Sequence, residues 1–344
     1  MELIRPYAIK PGDTIGVFTP SSPAYQVNEE LFSNGIRNLE QLGYRVKLGR
    51  LTQSRNTQGY RSGSPQERAQ EFMDLIMDDE VHALMSTIGG SNSSSMIPYL
   101  DFDLIRQKRK IMCGYSDVTS LHMSILKYAG LKTIYGPAVM TWFGEYPNGI
   151  QESIDSFVQA VTFHNAPKRK VVPFARWSNH QRDWTNGDWK NIERQWNENP
   201  GWKVLQEGHS TAELVVANLN TLVSAAGTSY FPDLQNKILL IEEMAAPFDR
   251  LERNLTQLKL IGVFDQICGL IMGKSEMPNT KGAPFSLDDL LLEVVGRQEY
   301  AIISNFDCSH TVPMHSLGQR CTIDLKAQNQ WDVTCVLLDS FVEA

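Results

Sequence analysis

Gly114-Tyr-Ser-Asp117 sets a hydroxyl between an apolar run and a following helical pattern. A sharp turn at that junction would push the Ser116 side chain into a crevice and aim helix-terminal amides at it, as in a nucleophile elbow. The second glycine of the usual elbow pattern is missing, because Asp117 and Val118 follow, and Ser-Asp is equally an ordinary helix cap. Gly89-Gly90 closes another apolar run and exposes backbone amides. Those amides suit half of an oxyanion hole, a phosphate cradle or a plain tight turn.

A hydroxyl near neutral pH needs a base, and histidine is the usual one. His310 lies in Ser304-Asn-Phe-Asp-Cys-Ser-His310-Thr-Val-Pro313, just past an apolar run, where a surface or turn histidine is also common. Lys237-Ile-Leu-Leu-Ile-Glu242-Glu243 ends a buried-strand pattern in two carboxylates. One of the two is well placed to orient an imidazole through its Nδ1–H, while a solvated strand end is the plainer alternative. Strand alternation turns the other carboxylate away. The chain order Ser…Glu…His is one of the orders known for this chemistry.

The elements that must carry these residues alternate. Thr14–Thr19, Ala83–Ile88 and Lys110–Gly114 read as strands. Between and after them, helices carry Phe32, Ile36 and Leu39 up to Gly43, then Phe72, Leu75 and Ile76, then Leu121, Ile125 and Tyr128 up to Gly130. Ser64-Pro-Gln-Glu67 is a capping box with proline at the first helical position. Such alternation predicts parallel strands with crossover helices, an open doubly wound sheet whose crevice lies at the strands' carboxyl ends. The pattern loosens around 145–175. Beyond it, strands at 212–216, 237–241, 266–272, 300–304, 322–325 and 331–338, with helices at 218–226, 249–261 and 287–296, predict a second, α+β domain.

Five of the seven tryptophans, at 177, 184, 189, 196 and 202, crowd one polar, Asn-rich stretch without a period. A long segment of that kind is often a lid or binding loop. The charge is −7, with 32 Lys+Arg against 39 Asp+Glu, which argues against binding a nucleic-acid backbone. No apolar run reaches the roughly 18 residues of a membrane span, and the first residues lack the apolar core of a secretory signal. The five cysteines include no C-x-x-C pair, pointing to a reducing, cytoplasmic setting. The remaining histidines show no metal-ligand spacing, so no metal or cofactor is expected, and His122 reads as a packed or surface helix residue.

Together these motifs resemble the serine peptidase family that includes bacterial LD-carboxypeptidases and microcin C self-immunity proteins. The likeness runs from Lys10-Pro-Gly-Asp-Thr-Ile-Gly16 and Pro20-Ser-Ser through Thr87–Gly90, Pro98–Asp101, Gly114–Asp117 and Tyr135-Gly-Pro137. It continues in Asn218-Leu219, Ile241-Glu242 and the loop 307–313. The resemblance implies Ser116 as nucleophile, Glu242 as acid and His310 as base, with amides of Gly89 or Gly90 and of Asp117 as oxyanion hole. It implies a flavodoxin-like parallel-sheet domain over 1–165, a linker and Trp-rich substrate loop over 166–210, and a C-terminal domain with a partly barrel-like sheet over 211–344. It also implies a homodimer acting on a small-molecule substrate without a cofactor.

Within that family, Trp184-Thr-Asn-Gly-Asp-Trp189 looks like the microcin-immunity loop, in which a tryptophan stacks on a nucleotide base. Trp184 matches it best, with Asn218 and Glu276 as polar partners, whereas Trp177, Trp196 and Trp202 read as packing residues. The expected activity is cleavage between an aminoacyl or peptidyl carbonyl and a nucleotide phosphoramidate or sulfamate. The alternatives are an LD-carboxypeptidase acting on murein tetrapeptides and a non-catalytic ligand-binding protein. Two departures from the family pattern stand out. Val216-Ala217 precede Asn218 where glycines are usual, which predicts a crowded pocket, and Leu317-Gly318 follows His310 after a shorter loop.

Overall fold

The computed structural model describes residues 2–163, 168–276 and 279–344. Two sheets organise it. The first runs in the order Leu317–Gly318, Ile134–Tyr135, Ile111–Gly114, Ala83–Ser86, Thr14–Phe18, Arg45–Leu48. Its five N-terminal strands are parallel, and Leu317–Gly318 joins antiparallel to Ile134–Tyr135. Thr14–Phe18, Ala83–Ser86 and Ile111–Gly114 are wholly buried, as strands covered by helices on both faces must be.

The helices form where the sequence signals them. Ala24–Gln41 ends before Gly43, whose φ of +90° suits glycine. Pro65–Met77 starts from a complete capping box: Ser64 Oγ accepts from Glu67 N, and Glu67 Oε2 accepts from Ser64 N. After Ile111–Gly114 the chain makes a tight turn of helix at Ser116–Val118 and continues as Thr119–Ser124. It then widens over Ile125–Ala129 and stops at Gly130.

The second sheet has eight strands: Arg169–Val171, Asp332–Leu337, Thr322–Gln328, Gly208–Asn218, Ile238–Glu242, Gly269–Gly273, Ile302–Phe306, Lys203–Gln206. Gly208–Asn218 is its spine. Its first half pairs antiparallel with Thr322–Gln328 and its second half parallel with Ile238–Glu242. Val204 N donates to Gln330 O at 2.9 Å, drawing the outermost strand toward a hairpin turn on the far side and curling the sheet part-way to a barrel. Ile238, Leu239, Leu240 and Ile241 are fully buried. At about 1.5–3 kcal/mol per buried side chain, they hold the strand that ends in Glu242.

Three features differ from the sequence expectation. Residues 151–161 form a helix in the region that reads as loosened; its buried face is Ile154, Phe157 and Val161, but Ile150 supplies no side-chain cap to announce it. The stretch 166–210 contributes two edge strands to the second sheet, Arg169–Val171 and Lys203–Gln206. Leu317–Gly318 crosses back to complete the first sheet, so the shorter loop after His310 becomes a strand. The tryptophan stretch itself holds only a two-residue ribbon, Arg176–Trp177 with Asn197–Glu198, and one helical turn at Asp188–Asn191.

Candidate active site

Ser116 sits at the carboxyl end of Ile111–Gly114 with φ of +61°, a region that costs a non-glycine residue on the order of 1 kcal/mol or more. Its neighbours over-determine that conformation. Ser116 N donates to the Tyr135 hydroxyl at 3.0 Å. The Asp117 carboxylate accepts from Asn92 N and Ser93 N at 3.0 and 2.9 Å, and Asp117 O accepts from Ser93 Oγ at 2.6 Å. His122, expected to be packed or at the surface, is fully buried below the turn. Its Nε2–H donates to Gly114 O at 2.9 Å and Nδ1 accepts from Thr133 Oγ1 at 2.7 Å; burial pushes its pKa down to about 4, which keeps the ring neutral.

Gly89 abuts the serine: a Cβ there would lie 3.3 Å from Ser116 Oγ and 3.5 Å from Asp117 N. Gly90, with φ of +151°, could carry no side chain without striking Ser21 Oγ. Ser21 Oγ in turn accepts from Ser91 N and Asn92 N, so the Pro20-Ser21-Ser22 turn braces the Gly-Gly turn. Asp117 N lies in the first turn of its helix, where amides lack intrahelical acceptors.

Glu242 and His310, the expected acid and base, come from the second sheet. His310 Nδ1–H donates to Glu242 Oε2 at 2.6 Å, which leaves Nε2 to accept from Ser116 Oγ–H at 3.2 Å. Glu242 is fully buried; its Oε1 accepts from the Tyr135 hydroxyl at 2.6 Å and from Asn218 Nδ2 at 3.2 Å. Burial alone would depress the His310 pKa, but the facing Glu242 carboxylate, with Glu276 and Glu243 behind it, raises it above the ordinary imidazole value. Glu243 turns away from the imidazole and accepts from Asn220 N and Met244 N; burial, then its neighbour Glu242, raises its pKa.

Asn218, expected as a polar partner of the ligand, stands beside Glu242. Parallel register makes it the direct neighbour of Glu242. Its Oδ1 caps the next helix at Thr221 N, and its Nδ2 reaches Glu242 and Glu243. Val216 and Ala217 are core residues of the same strand and do not line the cavity, so the predicted crowding does not arise.

Glu276 and Trp184 do line a cavity of about 590 Å³ together with His310 and Tyr115. Burial raises the Glu276 pKa, and its Oε2 has no partner among the described residues. Trp184 is half-buried, and its carbonyl accepts from Asn28 Nδ2 at 2.6 Å. Buried Glu145 pairs with Arg182 and Arg194 and holds the loop over the cavity. The other tryptophans pack. Trp189 lies against Tyr146, and Arg176 stands over Trp196. Lys274 lies near the Trp177 ring. Trp202 stacks at a tilt on Phe306 and donates Nε1–H to Asp307 at 2.9 Å.

Asp307 also receives Lys274 Nζ at 2.6 Å and Asn199 Nδ2 at 3.0 Å, tying the loop's end to the segment that carries His310. Gly273 lets that segment pass. A Cβ there would lie 2.6 Å from Cys308 O and 2.8 Å from Glu242 Cβ. Gly273→Ala is therefore expected to displace His310 from Glu242, lowering turnover by roughly a hundredfold, and to lower the melting temperature as well, because the closest contact is a backbone oxygen rather than a flexible side chain. Steady-state kinetics beside a thermal melt checks this. Neither Gly273 nor Tyr135 stands out from the sequence as a site residue; a glycine ending an apolar strand was the available signal for the first.

Among the described residues, no group of three or more His, Cys, Asp or Glu side chains could hold a metal. None of the five cysteines is in a disulfide, and no described helix is long and apolar enough to cross a membrane.

Known proteins share this fold. Residues 15–136 match the LD-carboxypeptidase N-terminal domain and residues 211–325 the LD-carboxypeptidase C-terminal domain. The microcin C7 self-immunity protein MccF of Escherichia coli is 34% identical over 330 residues, covering 95% of this chain and 94% of that protein. A solved MccF in complex with aspartyl sulfamoyl adenosine superposes with a TM-score of 0.92 at 32% identity, covering 99% of this chain and 100% of the other. An MccF-like protein from Bacillus anthracis superposes at 0.86 with 28% identity over 98% of this chain and 99% of its own. Two domain matches spanning most of the chain, and a relative alike nearly end to end, establish that this protein belongs to the LD-carboxypeptidase family of serine peptidases.

Proposed function

We propose that this chain is a serine amidase of the microcin-immunity type, which hydrolyses the bond between an aminoacyl or peptidyl carbonyl and a nucleotide phosphoramidate or sulfamate. His310 Nε2 takes the Ser116 proton as Oγ attacks the carbonyl. The amides of the Gly89-Gly90 turn and of Asp117 receive the oxyanion. Collapse expels the leaving nitrogen, which takes the proton from His310. Water, deprotonated by the same imidazole, then releases the acyl group as a carboxylate and restores the serine. Glu242 fixes the imidazole tautomer and stabilises its charged form.

The observation that carries the choice of substrate is Trp184, standing in one cavity with His310 and with Glu276, whose Oε2 has no hydrogen-bond partner among the described residues. Stacking a base on an aromatic ring contributes about 1–3 kcal/mol. MccF structures contain aspartyl sulfamoyl adenosine and glutamyl sulfamoyl guanosine, which supports a ligand of that class here. The matches to both LD-carboxypeptidase domains favour a second reading, removal of the terminal D-Ala from murein tetrapeptides.

Chromatography of aspartyl sulfamoyl adenosine and of a murein tetrapeptide after incubation with the protein separates the two, and cleavage of the tetrapeptide alone would sink the first. Trp184→Ala is expected to lower kcat/KM for the adenylate by about 5- to 150-fold while leaving any tetrapeptide activity nearly unchanged. Equal losses on both would remove the stacking role. On this reading residues 1–165 present the nucleophile, 166–210 close over the nucleotide, and 211–344 deliver acid and base. The five free thiols support work in the cytoplasm, and the family likeness supports a homodimer that confers resistance to adenylate-mimicking antibiotics.

A further inference from the structure

Tyr135 has no role in the mechanism above, yet its hydroxyl lies between two parts of it. It donates to Glu242 Oε1 at 2.6 Å and accepts from Ser116 N at 3.0 Å. The side chain is fully buried in the strand Ile134–Tyr135, and its ring is held edge-on by Tyr115 and tilted against His122. Ser116 N belongs to the one residue of the elbow whose backbone is left-handed. Glu242 Oε1 is the oxygen that His310 does not use. One phenol thus joins the strained nucleophile to the acid without passing through the imidazole.

We propose that Tyr135 is a positioning residue with two linked effects: it clamps the Ser116 backbone in its left-handed conformation, and it draws charge from Glu242 so as to set the basicity of His310. The inference rests on the serine-hydrolase reading of Ser116, His310 and Glu242. Burial and the adjacent Glu242 charge hold the phenol far above its usual pKa, so it stays a neutral donor at every working pH. A short hydrogen bond to a carboxylate lowers the negative charge available to the imidazolium on the other oxygen. Losing that bond therefore raises the His310 pKa, and strengthening it lowers the pKa.

The other ionisable groups around the pair are Glu243 at the same strand end, Glu276 across the cavity with Arg194 beside it, Tyr115 at the elbow, Cys308 on the His310 loop, and His122 beneath. None is altered by a change at Tyr135, so a shift between variants reads the phenol.

The test uses a fluorophosphonate, from which Ser116 Oγ displaces fluoride while His310 takes the proton, so the identity of the natural substrate does not matter. Labelling rates are measured against pH for the wild type, Tyr135→Phe, and the protein carrying 3-fluorotyrosine at position 135, with Ser116→Ala as the blank. Tyr135→Phe is expected to label roughly ten- to a hundredfold more slowly at its plateau, with the acid-limb midpoint moved up in pH. The fluorinated phenol is a stronger donor of nearly the same shape and is expected to move the midpoint down. Opposite shifts are what a merely space-filling tyrosine would not produce.

Wild-type labelling at Ser116 with the same midpoint in all three proteins overturns the role of Tyr135 and leaves the nucleophile standing. A wild type that is never labelled at Ser116 overturns both. Should Tyr135→Phe fail to fold, the direction of the fluorotyrosine shift alone decides the matter.

Discussion

Ser116→Ala is expected to lower turnover of any acyl substrate by on the order of 10⁵- to 10⁶-fold, while binding of the same substrate stays within a few-fold of wild type. The size follows from the geometry. Ser116 Oγ is the hydroxyl 3.2 Å from His310 Nε2, and the elbow points it at the Gly89 turn. Removing Oγ deletes the covalent step altogether, whereas the cavity beside Trp184 and Glu276 is untouched. What remains is the rate that bound water achieves with oxyanion stabilisation alone. The fold is not expected to suffer, because the turn is held by Tyr135, Asn92 and Ser93 through the backbone and Asp117. Isothermal titration with aspartyl sulfamoyl adenosine, beside a turnover assay, reads both quantities. Turnover that survives the substitution would remove Ser116 as nucleophile. A wild type that binds but never turns over would leave a ligand-binding protein instead.

Glu242→Gln is expected to be nearly as severe, roughly 10³- to 10⁴-fold in kcat, with KM little changed. The amide can present NH₂ to His310 and hold the wrong tautomer. It also presents one amide group to two other donors, the Tyr135 hydroxyl and Asn218 Nδ2. The pH profile gives a second reading. The base works only when neutral, so kcat/KM in the wild type falls as pH drops through the raised His310 pKa, above the ~6.5 of a free imidazole. Taking away the nearest negative charge leaves burial as the larger influence, and the acid limb moves to lower pH. Glu243→Gln, one residue along, is expected to change kcat by no more than a few-fold, since that carboxylate bonds to Asn220 N and Met244 N rather than to the imidazole. Equal losses in the two variants would put the acid in doubt.

Much of this site can be read from residue types because each group stands where a strand stops. Gly114-Tyr-Ser-Asp117, Ile241-Glu242 and the loop to His310 all follow apolar runs; parallel strands of the second sheet end together and bring Glu242 to His310, and the carboxyl edge of the first sheet presents Ser116 to them. The tryptophans divide as side-chain chemistry suggests, with Trp202 in the core and Trp184 on the cavity. Asn218 was harder to place. An asparagine before a helix reads the same whether it faces ligand or cap, and only strand register shows that it stands beside Glu242. Tyr135, though part of the Tyr135-Gly-Pro137 motif, and Gly273, a glycine ending an apolar strand, carry no sign of a role in the site. Their importance comes from what other segments bring against them, a phenol met by a distant carboxylate and a missing side chain crossed by a distant loop. The helix 151–161 escaped because its first turn has no capping side chain and its apolar face is short.

The crossing strand Leu317–Gly318 has a bearing on when this enzyme comes into being. Its partner, Ile134–Tyr135, is the outermost of the first sheet's five N-terminal strands and carries the phenol that holds Glu242 and Ser116 together. On a ribosome the first five strands emerge long before Leu317–Gly318 exists, and domains generally begin to fold as they appear. The nascent N-terminal half therefore waits with an open edge beside Tyr135, and His310 follows only a few residues ahead of the strand that closes it. Hydrolytic competence arrives late in synthesis and all at once, so a prematurely released chain is inert rather than partly active.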